Sequence, residues 1–469
     1  MTESSRRVAA RASNVSGTTA ARAAREQVGC DDGPVFRPYR EVLSRPGALA
    51  FSAAGVIARL PISMVGIGVV LAVSSIYGSY AMAGRVSAVL IVSSAITAPL
   101  IARAVDRYGQ ARAMFPALAT CAAGMVALIV ALVAEAPEPV LYVTAVVAGV
   151  SGQFGSLVRA RWTYVLRGDS NALHTAYSLE AALDELVFII GPAAATLLAT
   201  GVTPTAGIVV PLVATVVGGT WFLLQRRTQP PPTPRHDAGG PSILAAPGMV
   251  LLIGVFLAMG AIFGATDVAT VAFAEEEGRK SMAGLILAVF AAGSLVSGLL
   301  YGARRWVQPL WVRFAIGMVL LAVGVSFFFV VNSLWALAAV MFVTGFAIAP
   351  TLINGNGLVQ ELVAPGRLTE GLTWVGTSLG VGVSIGSSIA GARIDAHGSH
   401  AGFLVVVIAG GAAVVATLAS LRTLRAGHRA RLSDELARAG HTADEPVPDE
   451  RVADRVVDAD GPSDLHRDT

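Results

Sequence analysis

The stretch from Met82 to Arg103 reads MAGRVSAVLIVSSAITAPLIAR, and the stretch from Met282 to Ala303 reads MAGLILAVFAAGSLVSGLLYGA. The two segments lie 200 positions apart, and residues coincide at that one offset without a gap, among them Met82 with Met282, Gly84 with Gly284 and Ser94 with Ser294. Each is apolar over about 20 residues, the length that a helix needs to cross about 30 Å of hydrocarbon. The repeat predicts a membrane protein built from two related halves, an architecture typical of proteins with a ligand site between the halves.

The composition indicates the same class of protein. Of the 469 residues, 54% are hydrophobic and only 14% are charged, which is too little polar surface for a soluble fold of this size. Apolar runs of spanning length recur near residues 47–72, 80–103, 112–134, 138–159, 175–200, 204–225, 247–271, 281–303, 309–331, 333–357, 368–393 and 400–422. We therefore predict an all-α membrane protein with twelve transmembrane helices in two six-helix bundles.

The predicted organisation places a soluble segment before, between and after the bundles. A Pro/Gly-rich stretch, QPPPTPRHDAGGPS at 229–242, has the stiffness expected of a connector. The predicted segments are a cytoplasmic N-terminal tail at 1–46, bundles at 47–225 and 247–422 joined by a cytoplasmic linker at 226–246, and a cytoplasmic C-terminal tail at 423–469.

The arginines predict the orientation of the chain, because loops that face the cytoplasm keep an excess of positive charge. Arginines gather before the first span and after every second span, with Arg161 and Arg167 assigned to the loop after the fourth. Both termini are therefore expected in the cytoplasm. Lys280 is the single lysine, a bias typical of GC-rich bacterial genomes, so the bilayer is predicted to be a bacterial cell (inner) membrane.

Charge and cysteine content limit the other functions. The net charge of +3 is accounted for by the arginine asymmetry, so no nucleic-acid partner is expected. Cys30 and Cys121 are too far apart in the sequence to suggest a metal site, and neither a metal nor a cofactor is predicted. The chain is expected to be a monomer whose partners are the lipid bilayer, a small-molecule substrate and protons.

The loop after the second span carries a recognisable motif. PLIARAVDRYGQAR at 99–112, with Asp106, Arg107, Gly109 and Arg112, resembles the loop motif of the major facilitator superfamily. Ala102 replaces its leading glycine, and the second half keeps only a weaker copy of the motif, without the aspartate. The resemblance covers roughly residues 47–422 and implies two six-helix bundles that rock about a central cavity.

In that family the motif implies a gate. Asp106 would hold helix ends from the two halves together on the cytoplasmic side while the cavity is open to the outside. The alternative is that these residues only orient the chain and cap a helix.

Charged residues inside the predicted spans are candidates for a translocation site, because each costs about 2.5–3.5 kcal/mol at a helix centre. They are Arg59, Glu180, Asp184, Glu185 and Asp267. Glu180 and Asp184 are spaced i,i+4 and share a helix face. Because the first and fifth helices touch in the family fold, Arg59 is expected to pair with Asp184 or Glu185. The pair is either a static packing contact or a proton-exchanging one, and without a histidine at depth only carboxylates are left to carry protons.

Other features bear on direction and substrate. Gly191 and Pro192 resemble the fifth-helix Gly-Pro motif of exporters in the family, whereas the arginine-bearing fourth-helix motif linked to proton coupling is absent at 148–153. Gln153, Asn354 and Asn356 are candidates for substrate contact or for helix packing.

These observations together predict a secondary transporter, not an enzyme, that exports a small molecule by proton antiport. The alternatives are a sugar or metabolite importer of the same fold, or a membrane sensor or scaffold that does not transport.

Overall fold

The computed structural model describes residues 36–232, 243–279 and 282–443, and its secondary structure within these ranges is entirely helical. Outside the described residues lie residues 1–35 of the predicted N-terminal tail, residues 444–469 of the predicted C-terminal tail, most of the Pro/Gly-rich linker, and Lys280. Cys30 belongs to the first of these segments. The α-helices are α1 (Arg37–Leu43), α2 (Ala48–Tyr77), α3 (Tyr80–Tyr108), α4 (Gln110–Val133), α5 (Glu138–Ala148), α6 (Phe154–Val165), α7 (Ser170–Gly201), α8 (Ala206–Leu224), α9 (Pro247–Glu276), α10 (Met282–Ala303), α11 (Leu310–Ser326), α12 (Leu334–Gly345), α13 (Ile348–Leu362), α14 (Leu368–His397) and α15 (Ser399–Ala443).

The lengths of these helices bear on the predicted number of membrane crossings. Among the described residues, eleven helical segments are long and apolar enough to cross a membrane, with α12 and α13 taken together as one of them. The shorter α5 continues through a break into α6, and the two complete a further crossing. The all-helical membrane fold predicted from the sequence is confirmed, and the twelve-crossing count is consistent with it.

The fourth crossing differs from the continuous span predicted at 138–159. Its helix stops at Ala148 and resumes at Phe154, because Gly149 is pressed against α3, where a Cβ atom would lie 2.7 Å from the carbonyl oxygen of Leu90. The Thr97 hydroxyl of α3 donates to the freed carbonyl of Gly149 at 3.1 Å. The crossing consequently extends to Val165, six residues beyond the predicted end.

Small residues let the long helices approach closely within each half. Gly68 of α2 faces the backbone of Gly207 in α8, and Gly260 of α9 lies against the backbone of Leu379 in α14. A Cβ atom at either glycine would collide with a carbonyl oxygen of the neighbouring helix. Close backbone contact of this kind is how helices associate in lipid, where apolar surface alone gives no driving force.

The two halves, within residues 36–232 and 243–443, meet mainly along four helices. Helix α3 of the first half packs on α14 of the second, and α7 packs on α10. Smaller contacts join α7 to α13 and α6 to α14. Hydrogen bonds between the halves cluster where α3 ends, and we call this region the Asp106 end of the molecule.

Candidate functional site

An ionic cluster lies inside the first half, about three helical turns from the Asp106 end. Arg59 of α2 donates from Nη2 to Glu180 Oε2 at 2.5 Å and from Nη1 to Asp184 Oδ1 at 2.6 Å. Both acids belong to α7, where their i,i+4 spacing puts them one above the other on the face toward α2. Of the two partners predicted for Arg59, Asp184 is the one found. Its second partner is Glu180, because Glu185 points about 100° away around the helix.

Glu180 is enclosed by donors. Its side chain is fully buried, and besides Arg59 it accepts hydrogen bonds from Ser52 Oγ at 2.7 Å and from Trp162 Nε1 at 2.8 Å. A buried side chain that is hydrogen-bonded to three donors on two other helices is fixed firmly in place. Glu180 therefore anchors α7 to α2 and α6.

Asp184 occupies a different environment. It is 26% exposed and lies between two arginines, since Arg159 of α6 donates from Nη2 to Asp184 Oδ2 at 2.7 Å. Two arginines and two carboxylates make the cluster neutral as a whole. Asp184 is its more accessible acid, and a change in its charge would leave two guanidinium groups to share one carboxylate.

Arg159 is a member of this cluster that the sequence did not reveal. The predicted fourth span ended at Arg159, which was not among the charges considered for the site, and Arg161 was assigned to the loop that follows. The structure shows that this assignment is wrong for Arg161, which is fully buried on α6. Arg161 donates to Gln110 Oε1 at 2.8 Å and lies 3.8 Å from the centre of the Phe222 ring. A hydropathy pattern misses such residues because it counts each arginine as if it faced lipid.

The remaining predicted charges lie apart from the cluster. Glu185 is half-buried and faces Ser294 of α10 across the contact between the halves. Asp267 of α9 is exposed, and the next exposed position on the same helix face is Val271, one turn further on. The structure does not bring Asp267 into contact with Arg59, so these five charges form one cluster and two separate carboxylates.

Asp106 lies in the last turn of α3 and reaches into the second half. Its carboxylate accepts hydrogen bonds from the backbone N–H of Glu370 at 2.8 Å and of Thr369 at 3.3 Å. These two groups belong to the first turn of α14, whose N–H groups have no partner within their own helix. The Asp106 side chain therefore caps a helix of the other half, where the negative charge also favours the helix dipole.

The weaker copy of the motif, at the end of α10, also joins the halves, but there the first half supplies donors to carbonyl groups. Near the end of α10, where carbonyl groups lack helical partners, Tyr39 Oη donates to the carbonyl of Leu299 at 2.6 Å and Thr175 Oγ1 to that of Gly302 at 2.8 Å. His174 Nε2 lies 3.1 Å from the carbonyl oxygen of Tyr301. Side chains of the first half thus cap a C-terminus here, whereas Asp106 caps an N-terminus.

The other motif residues have local roles. Gly109 joins α3 to α4 with φ +91°, a left-handed conformation that favours glycine, and the Gln229 side chain packs against it. Arg107 lies over the Tyr108 ring at 5.2 Å, and Arg112 is exposed. Gly191 and Pro192 lie within an unbroken α7, where Gly191 faces Ser63 of α2 so closely that a Cβ atom would overlap its hydroxyl.

One of the three predicted polar candidates lies at the contact between the halves, and the other two bond within the second half. Gln153 donates across the halves to Thr377 Oγ1 at 3.0 Å, in space left by Gly376. Asn354 is fully buried and donates to Tyr301 Oη at 2.9 Å, which favours packing over substrate contact. Asn356 donates to the carbonyl of Leu352 in its own helix at 2.9 Å. Of the three, Gln153 alone bridges the two halves in the described contacts.

Sequence and structure comparisons identify the fold. The model of the Major Facilitator Superfamily matches residues 51–312 and 251–443. No curated protein sequence matches the chain. Among solved structures, the human organic anion transporter MFSD10 is 14% identical over 82% of this chain and 99% of its own, with a TM-score of 0.59.

Two further structures show the same architecture. A bacterial homologue of the iron transporter ferroportin, in an outward-facing state, is 13% identical over 81% of this chain and 99% of its own, with a TM-score of 0.61. The proton:xylose symporter XylE, bound to 6-bromo-6-deoxy-D-glucose, is 14% identical over 80% of this chain and 95% of its own, with a TM-score of 0.60. At this identity the likeness concerns the fold. The chain is a multi-pass membrane transporter and belongs to the major facilitator superfamily.

Proposed function

We propose that the chain exports a small molecule across the bacterial cell membrane in exchange for protons, with both termini in the cytoplasm. The observation that carries the proposal is the position of Asp184, a partly exposed carboxylate between Arg59 and Arg159 inside the membrane. A nearby positive charge favours the charged form of a carboxylate, so a helix movement that separates the two makes it easier for the carboxylate to take up a proton.

Asp184 would exchange the proton, while Glu180 would remain charged. With three donors around it, Glu180 loses hydrogen bonds if it is protonated. Asp184 is held by the two arginines alone, and a shift of α6 relative to α7 would withdraw Arg159 from it. Glu185 and Asp267 are further candidates to carry protons, because no arginine or lysine pairs with either of them in the described part of the chain.

The same proposal gives the contacts at the Asp106 end a role as the cytoplasmic gate. Asp106 on α14 and the Tyr39 and Thr175 donors on α10 join the halves there, so the structure would represent the state that is closed to the cytoplasm. Outward opening would be followed by release of both caps. This arrangement supports alternating access by rocking of one half against the other.

The test begins with a thermal-shift screen of the purified protein against a panel of metabolites and drugs. A stabilising compound is then followed in proteoliposomes across an imposed pH gradient. Wild-type protein should move it against its gradient only when protons flow the opposite way, and Asp184→Asn should stop that movement while binding is retained.

The controls separate coupling from direction. Glu41→Gln, which removes an exposed acid paired with Arg37 on α1, should transport like the wild type. Proton-driven flux that survives in Asp184→Asn would remove the proton-carrier role. Movement of proton and compound in the same direction would instead assign a symporter that imports its substrate.

A further inference from the structure

The break in the fourth crossing places the start of a helix inside the membrane, at the contact between the halves. Helices α5 and α6 have 11 and 12 residues, so the break lies about 17 Å from one end of the crossing and about 18 Å from the other, near the middle of the bilayer. The Ser151 hydroxyl in the break lies 3.2 Å from that of Ser94 on α3, and Gln153 donates to Thr377 of α14. Residues 151–153 are half-buried, so solvent reaches this backbone.

The carbonyl groups at the end of α5 have hydrogen-bond partners. Those of residues 145 and 147 accept from backbone N–H groups of the break. Those of residues 146, 148 and 149 accept from the side chains of Ser93, Cys121 and Thr97. The acceptors that the end of α5 leaves without helical partners are therefore satisfied by the protein itself.

The N–H groups at the start of α6 are not satisfied in this way. The helix begins at Phe154, and the Gln153 side chain before it does not cap it. In the part of the chain that the structure describes, the backbone N–H groups of residues 152–155 donate to no protein acceptor, whereas that of Ser156 donates to the carbonyl of Gln153 at 3.1 Å. Free N–H groups at a helix start carry the positive end of the helix dipole and favour an anion.

The corresponding crossing of the second half shows that a break need not leave N–H groups free. This crossing is interrupted only at Phe346 and Ala347, between α12 and α13. The N–H groups of these two residues donate to carbonyls of α12 at 3.2 and 3.0 Å. Transporters built from repeats bind anionic groups of their substrates where an interrupted helix starts near the bilayer centre. Of the two breaks, the one in the first half has the free donors that such a site needs.

A buried arginine lies beside the start of α6. Arg159 is 9% exposed, its Nη1 donates to the carbonyl of Gly155 at 3.2 Å, and its Nε is buried without a hydrogen-bond partner among the described residues. Gly155 belongs to the first turn of α6, where a Cβ atom would lie 3.2 Å from Arg159 Nη1 and 3.5 Å from Arg59 Cδ. Because Gly155 has no side chain, both arginines lie next to the free N–H groups.

We propose that the transported compound is a small organic oxyanion and that its carboxylate or phosphate group binds in this break. The oxyanion accepts hydrogen bonds from the N–H groups of residues 152–155 and from Arg159 Nε, the donors that the protein leaves without acceptors. Hydrogen bonds to a charged acceptor are about twice as strong as those between neutral groups. This substrate class rests on the proposed transport function, but it is independent of the direction of transport and of proton coupling.

The test is isothermal titration calorimetry of the purified full chain in detergent with benzoate, phenyl phosphate and neutral benzamide. At least one of the two anions should bind, and benzamide should not; the tighter anion identifies the group that the site takes. Gly155→Ala places a methyl group over the first turn of α6 and should weaken anion binding about tenfold or more, because each hydrogen bond to a charged group contributes a factor of this size. The variant should fold, since alanine favours the helix and the methyl group is nearest to the end of a flexible side chain.

Gly201→Ala is the matched control, because nothing lies close to its Cβ position at the end of α7. It should bind the anions like the wild type. Arg159→Gln should weaken the anions as well, and it serves as the second variant if Gly155→Ala does not fold. Binding of benzamide as tight as that of the anions, or anion binding that survives in both variants, would overturn the site. If neither anion binds, the substrate class is wrong, whereas the proposed function fails only if no compound moves in exchange for protons in proteoliposomes.

Discussion

Replacing Asp106 with asparagine should loosen the contact between α3 and α14. The carboxylate receives two backbone N–H groups of the first turn of α14, at 2.8 and 3.3 Å, and both donor residues are buried. Asparagine keeps one acceptor oxygen but loses the charge that interacts with the helix dipole. Caps of this kind contribute about 0.5–2 kcal/mol, and a partly buried charge at a helix end up to about 2 kcal/mol.

A loss of about 1–2 kcal/mol changes the ratio of closed to open molecules about 5- to 30-fold. We would measure it by double electron–electron resonance, with spin labels on cysteines introduced at Arg227 and Arg305, which are exposed in opposite halves. The two native cysteines are first removed by Cys30→Ser and Cys121→Ala. Asp106→Asn should move a substantial part of the distance distribution to longer values.

Asp169→Asn provides the control for this measurement. Asp169 also caps a helix N-terminus, accepting from the backbone N–H of Ala172 at 2.9 Å, but cap and helix belong to the same half. Its variant should leave the distance distribution unchanged. A distribution for Asp106→Asn that matches the wild type would refute the idea that this carboxylate keeps the halves together.

Three further predictions concern stability and the second cap. Glu180→Gln should lower the free energy of unfolding by about 3–5 kcal/mol, because the buried cluster then holds two arginines and only one carboxylate, and thermal unfolding in detergent should show this against an unchanged Glu185→Gln. Gly191→Ala should cost about 1–3 kcal/mol through overlap with Ser63, whereas Gly201→Ala, with open space at its Cβ position, should unfold like the wild type. The double variant Tyr39→Phe and Thr175→Val removes two hydrogen bonds to carbonyl groups of α10, each contributing about 1 kcal/mol. It should therefore lengthen the distance between the same spin labels, as Asp106→Asn does. The control Thr196→Val removes a hydroxyl that bonds within α7 and should leave that distance unchanged.

Much of the fold could be predicted from the sequence, because a helix that crosses the bilayer must have a certain length. Composition, the 200-residue repeat and the recurring apolar runs were enough to predict an all-helical two-half protein. The break at 149–153 was not predictable, since it arises where Gly149 meets α3, a contact between segments distant in the sequence. The misplaced end of the fourth span followed from that break.

The candidate site could be predicted from the sequence only in part, because it too depends on contacts between segments that are distant in the sequence. The i,i+4 spacing indicated that Glu180 and Asp184 share a face, and the family fold indicated which helix faces them. Neither could show that α6 supplies Arg159 to Asp184 and Trp162 to Glu180. Asn354 was as plausible a substrate contact as Gln153 until the packing around Tyr301 was known, because a polar residue in a span looks the same in the sequence whichever neighbour it bonds.

The two interpretations of the intramembrane charges, static packing and proton exchange, are compatible once the acids are treated separately. Arg59 contacts both Glu180 and Asp184, so it is always balanced by one charge even when the other is neutral. Glu180 has additional hydrogen bonds from Ser52 and Trp162, and in the proposal above it is the carboxylate that keeps the balancing charge. On the proposal above, a proton taken up by Asp184 would not leave Arg59 unpaired, and the arginine released by this step would be Arg159. The proposal therefore predicts that protonation of Asp184 is coupled to the position of α6, which begins at the break from which Gln153 reaches Thr377 in the other half.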